Sequence, residues 1–212
     1  MSAAPTSTRG ERTREKILAC AEQLFAEQGI DRVTLRQIAR AADQSNVSAV
    51  QYHFGSKLAL LEAILSRHQR AIDERRRERL DQQELAGSMH DLRGLMRTLV
   101  EPLAAELDDP SGCAYLRIQA QQLRRSETMQ PATRLMTMRI SQALWSRAEE
   151  RDPLADHFSV LLLFSALADR AREEAAGGAD ASDRERYIEG LTRALLGVFQ
   201  GLGEPTASRS RS

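Results

Sequence analysis

The chain has 212 residues, of which 42 % are apolar, 28 % charged and 4 % aromatic, and its formal net charge is zero. That is enough apolar material for one or two buried cores, and the neutral balance excludes a bulk polyanion binder. Residues 1–80 carry 14 Lys and Arg against 10 Asp and Glu, and the remainder carries 16 against 20, so the front is mildly basic and the back mildly acidic.

Cys20 and Cys113 lie far apart inside apolar helical patterns and read as free thiols, too few for a disulfide scaffold or a zinc site. The opening MSAAPTSTRGERTREK has no apolar stretch of signal-peptide length, and the longest apolar run, Val160 to Phe164, is too short to span a bilayer. The expectation is a soluble, cytoplasmic protein without cofactor or metal.

No alternating β-branched run appears, so the chain is expected to be all-α. From Thr13 to Gln28, Ile17, Leu18, Ala21, Leu24 and Phe25 recur at helical spacing, and Gly29 ends the run. Thr34 stands where a helix cap belongs, before Leu35, Ile38 and Ala39. Asp43, Gln44 and Ser45 break the pattern. Asn46 caps a third helix with Val50 and Phe54 inward, and Ser56 caps a fourth that starts at Lys57. Leu58, Leu61, Ile64, Leu65, His68, Ala71 and Ile72 form its apolar side, followed by the polar run DERRRERLDQQE. Glu74 to Arg79 within that run reads as a solvated, ion-paired face of a connector.

After Gly87-Ser88, five more helices are expected. They run from Met89 to Leu107 with a kink at Pro102, Cys113 to Arg124, Pro131 to Arg151, Pro153 to Ala175, and Asp183 to Leu202. This places a helix-turn-helix domain at residues 1–65, with a flexible arm over 1–10. A second helical domain follows over 66–202, then a disordered tail over 203–212.

Three front helices, the second and third joined by a short turn, describe a helix-turn-helix unit. In such a unit the later helix presents its polar face to the major groove. The wording TLRQIARAADQSNVSAVQYHFGSK, Thr34 to Lys57, closely resembles the DNA-binding segment of the TetR family of bacterial repressors, and the likeness covers about Thr13 to Leu65. The resemblance implies that Thr34 holds a phosphate and Arg36 reaches a guanine. It implies that Val47, Ser48, Ala49 and Gln51 occupy the base-facing positions, with Asn46 among the DNA-binding residues and Tyr52, His53 and Lys57 as a phosphate clamp. Two departures stand out: Asp43-Gln44-Ser45 replaces a glycine followed by an apolar residue in a turn that looks one residue longer, and Gln51 stands where many relatives carry an aromatic. Arg9, Arg12 and Arg14 can reach phosphates or a minor groove, or can simply be solvated.

In the back part, the segment from Phe158 to Ala168 is apolar almost all round, so it needs cover on both sides. The resemblance implies a four-helix dimer interface, assigned here to Val160, Phe164, Leu167, Ile188, Leu191, Leu195 and Phe199; a plain monomer core is the rival. It also implies a ligand cavity in the middle helices, for which Tyr115, Gln119, Met136, Arg139, Phe158, Leu162, Ser165 and Asp169 are the candidates. Salt bridges and core-edge hydrogen bonds explain those polar groups equally well.

The reading expected is a homodimeric repressor on a palindromic DNA operator, released by a small-molecule effector of unknown class. An activator without an effector is the alternative, and an all-helical enzyme a remote one. No metal-ligand spacing, paired nucleophile and base, or phosphate-cradling glycine loop supports catalysis.

Overall fold

The computed structural model describes residues 9–123, 153–178 and 183–202. Among them lie eight α-helices, one 3-10 turn and no strand. The helices are α1 (Arg9–Gln28), α2 (Leu35–Ala41), α3 (Val47–Phe54), α4 (Lys57–Leu85), α5 (Leu92–Ala104), α6 (Pro110–Leu123), α7 (Pro153–Ala175) and α8 (Arg184–Leu202), with the 3-10 turn at Ala105–Asp108. The helix expected over Pro131 to Arg151 lies outside the described residues, and with it Met136 and Arg139. No described helix is long and apolar enough to cross a membrane.

α1, α2, α3 and the start of α4 make the head. Ile17, Leu18, Ala21 and Phe25 meet Ile38, Ala39, Val50, Leu60, Leu61 and Ile64 there, and this core continues without a break into the body. α4 is the shared beam, with Leu65, Ile72 and Leu80 extending its buried stripe towards α5 and α6. Two expectations for this helix need correction: Leu58 is largely exposed and Ala71 is exposed, because the stripe turns through Leu60 and Gln69 instead.

Helix starts in the body differ from the periodic reading because polar caps set them. Asp91 accepts from the Arg93 amide at 3.0 Å and starts α5 at Leu92. Asp109 accepts from the amides of Ser111 and Gly112 at 2.8 and 3.0 Å, so Pro110 opens α6 where a turn was expected. Gly112 is required for closeness. A Cβ there would sit 2.0 Å from the carbonyl oxygen of Glu106, so the first turn of α6 rides directly on the 3-10 turn.

That close approach positions a polar joint between head and body. His68 of α4 donates from Nε2 to Glu22 of α1 at 2.8 Å and from Nδ1 to Glu106 of the 3-10 turn at 2.6 Å. Its ring stacks on Tyr115 of α6 at 4.7 Å. Arg67 and Ser111 complete the partners of Glu22, and Arg75 donates to Glu106 at 3.0 Å. A ring with a carboxylate on each nitrogen must donate from both and is therefore an imidazolium. Burial alone would lower its pKa, but hydrogen bonds to Glu106 and Glu22 outweigh that and raise it to about 9. A second tie lies nearby: Gln121 of α6 accepts from the Ile30 amide at 3.0 Å and donates to the Phe25 carbonyl at 3.2 Å. Sequence reading missed both ties. Glu22 and His68, each polar on an otherwise apolar face, were the signal that could have found the first.

Candidate nucleic-acid interface

α2 is fixed at its start by a reciprocal cap. The Thr34 hydroxyl accepts from the Gln37 amide at 3.3 Å, while the Gln37 side chain accepts from the Thr34 amide at 2.8 Å. Its end is equally defined. The Asp43 amide reaches the Arg40 carbonyl at 3.2 Å and the Gln44 amide reaches Ala39 at 2.9 Å, the two bonds of a Schellman motif. Asp43, at φ 56, occupies the left-handed position usually given to glycine. Lys16 of α1 pairs with its carboxylate at 2.5 Å, which lowers the Asp43 pKa through the hydrogen bond. The unusual turn is thus a regular helix stop with aspartate in the glycine place. Asp43→Gly is expected to leave the urea midpoint nearly unchanged, since relief at φ offsets removal of an exposed ion pair. Asp43→Val should cost about 1–3 kcal/mol, because a β-branched residue is strained there; urea melts of the two variants check this.

Asn46 then caps α3, accepting from the Ser48 amide at 3.1 Å. Only Val50 is fully buried on this helix, with Val47, Ala49 and Phe54 half-buried. Ser48 and Gln51 face solvent, and Tyr52 is 86 % exposed. Phe54 is covered by the Arg14 guanidinium, 5.1 Å from its ring centre, so α1 braces α3 from behind. His53 packs edge-on against Tyr52 at 5.2 Å. Gly55, at φ 73, ends the helix, and the Ser56 hydroxyl caps α4 by accepting from Ala59 at 3.1 Å.

Thr34 and Arg36 at the start of α2 are also exposed, or half-buried in the case of Leu35 between them, and Arg9 and Arg12 in the first turns of α1 are exposed too. Lys57 is half-buried. Its ammonium donates to the Asp31 carbonyl at 3.3 Å and lies 5.9 Å from the Phe25 ring, so it also braces the α1–α2 loop. The arrangement is a short helix anchored by Val50 with Val47 and Phe54 beside it, carrying amide, hydroxyl and phenol groups on its open face and cations at its margins. Such groups can bond base edges and phosphates.

Residues 17–64 match the model of bacterial regulatory proteins of the tetR family. Over that segment the chain is similar to the DNA-binding part of tetR-family regulators. The transcriptional regulator SrpR of Pseudomonas putida is 38 % identical over 68 residues, 32 % of this chain and 32 % of that protein. The transcriptional repressor BepR of Brucella suis biovar 1 (strain 1330) is 39 % identical over 62 residues, 29 % of each. The matched stretch thus spans about a third of the length of these two relatives. The crystal structure of NalD, secondary repressor of the MexAB-OprM multidrug efflux pump in Pseudomonas aeruginosa, aligns at 24 % identity with a TM-score of 0.55, over 86 % of this chain and 95 % of that one. That likeness is one of fold, and it takes in the helical body as well as the head.

In the body, the inward side of α7 and α8 is the one expected at a dimer seam. Phe164, Leu167, Leu191, Leu195 and Phe199, expected at a dimer seam, are buried within the single chain, and Val160 and Ile188 are half-buried beside them. Phe158, expected in a cavity, is 47 % exposed, and Leu162 and Ser165 on the same face are half-buried. Asp169 is exposed and pairs with Arg172. The physical reason is that α7 is apolar nearly all round, so periodicity leaves its inward side undetermined. Tyr115 and Gln119, expected to line a cavity, are buried in the body, and Tyr115 stacks on the joint histidine. The run Glu74–Arg79 also needs correction: Arg75, Arg77 and Arg79 are ion-paired near the surface, but Arg76 is buried.

Proposed function

We propose that the protein is a homodimeric transcriptional repressor that binds a palindromic operator and is released by a small molecule held in its body. The observation that carries this is the open face of α3. Ser48, Gln51 and Tyr52 stand clear of the fold while Val50 anchors the helix, as insertion into a major groove requires. Arg36 adds a base contact from α2; Thr34, Tyr52, His53 and Lys57 hold phosphates; and Asn46, Val47 and Ala49 set the depth of the helix. Residues 1–65 act as the reading head and 66–202 as the body, and the protein works in the cytoplasm.

Two heads are needed for a palindrome. The outward faces of α7 (Phe158, Leu161, Leu162) and α8 (Gly190, Ala194, Gly197) are the surfaces assigned to dimerisation, since small residues let helices approach closely. A Cβ added at Gly190 or Gly197 would meet nothing within 4 Å beyond its own helix, so the space beside these two glycines is open among the described residues. The repressor reading also draws on BepR.

Footprinting on DNA flanking its own gene is the test, with the mass of the complex read by sedimentation. The expected result is a protected, two-fold symmetric segment carrying an even number of protomers, with affinity falling steeply as salt rises. Binding that no small molecule relieves would favour a regulator without an effector. Failure to protect any DNA, or a single protomer per site, would contradict the proposal.

A further inference from the structure

With 8 residues, α3 is too short to hold a helical shape or a direction by itself, so its lie depends on what packs against it. Asn46 fixes its start and Val50 its middle. Its end rests on Phe54, which packs against the head core and carries the Arg14 guanidinium of α1 over its ring, 5.1 Å from the centre. Arg14 Nη1 also donates to Glu15 at 3.2 Å, so the charge is already engaged by a carboxylate and a ring face. That is not the state of a cation reserved for a phosphate. Phe54 follows directly on Tyr52 and His53, with ring centres 5.2 Å apart between Tyr52 and His53 and 6.3 Å apart between His53 and Phe54. Gln51, one turn back, supplies the carbonyl that the Gly55 amide reaches at 2.7 Å. The groups proposed to meet DNA are therefore the ones nearest the Phe54 contact.

We infer that Arg14 is a positioning residue of the reading head: by holding Phe54 from α1 it sets the angle at which α3 presents Gln51 and Tyr52, and it touches neither base nor phosphate. The inference rests on reading α3 as the groove helix, and it gives base preference a determinant outside the α2–α3 pair. In a head without this contact, α3 takes up other angles, and affinity falls with the fraction of heads that still hold the competent one. The cost falls on the operator, where bases are read, rather than on non-specific DNA, where phosphates suffice.

The test measures the full chain on its footprinted operator and on a scrambled duplex of equal length, each at two salt concentrations. The Arg14 side chain is 44 % exposed, so Arg14→Ala should leave the fold in place. It should weaken operator binding about ten-fold, the effect of one exposed cation–π contact in each of two heads, and binding to the scrambled duplex by no more than about two-fold. The salt slope should stay at the parent's value, because no phosphate contact is lost. Phe54→Leu keeps an apolar cover on the core but offers no ring face, so it should reproduce the loss. The double variant should then lie within about two-fold of either single one. A salt slope lower by about one unit per head would make Arg14 a phosphate contact and overturn the inference. So would equal loss on both duplexes, additive losses in the double variant, no loss from Arg14→Ala, or an Arg14→Ala melting temperature well below the parent's. A parent that prefers no DNA segment would remove the groove reading itself, and this inference with it.

Discussion

Replacing His68 with alanine is expected to cost about 3–5 kcal/mol, because Glu22 and Glu106 would remain buried with their bonds to the imidazolium unmet, and only the more exposed Arg67 and Arg75 would be left to balance them. In a domain whose whole stability is about 5–15 kcal/mol, that is enough to loosen the head from the body. The same joint gives a pH signature. The pKa of His68 in the folded protein, about 9, lies above its ordinary 6.5, so its contribution is complete below about pH 6.5 and is lost as pH rises through 9. The gap corresponds to roughly 3 kcal/mol. Urea unfolding from pH 6 to 10 should show the parent losing this amount relative to His68→Ala as the pH rises. A constant difference across that range would mean that the imidazolium pair does not hold the joint.

The second large effect separates the two faces of α8. Leu195 is fully buried, so Leu195→Asp should cost several kcal/mol and unfold the body. Ala194, its neighbour, is exposed, so Ala194→Arg should leave the fold within about 0.5 kcal/mol while placing a charge on the proposed dimer face. Circular dichroism and sedimentation together read the outcome. The expected pattern is an unfolded or aggregated Leu195→Asp and a folded, monomeric Ala194→Arg. A folded monomer from Leu195→Asp would restore the seam read from periodicity, and an intact Ala194→Arg dimer would move the interface elsewhere.

What the residues revealed unaided follows from how local each signal is. Caps at Thr34, Asn46 and Ser56 act over three or four residues and all three are found in place, so the head was legible almost to the residue. The Asp43 turn looked irregular because its regularity lies in backbone bonds to Arg40 and Ala39, which side-chain identity does not encode. The body was less legible. A helix such as α7, apolar on every side, cannot announce which face is inward. Arg76 sits in a run of arginines, three of which are surface ion pairs, and only its position facing α5 and α6 separates it from them. The joint at His68 joins residues 46 and 38 positions apart, a distance that no periodic pattern spans.

The central claim is that α3 reads bases while its margins hold phosphates. It is tested most directly by measuring affinity for a set of single-base operator variants at two salt concentrations. Gln51→Ala should lose about 1–3 kcal/mol on the preferred operator and relax preference at one position per half-site. Lys57→Ala should weaken binding to every variant alike and reduce the salt slope by about one unit for each phosphate no longer neutralised. If Gln51→Ala weakens all variants evenly, or Lys57→Ala changes the preferred base, α3 does not sit in the groove as proposed.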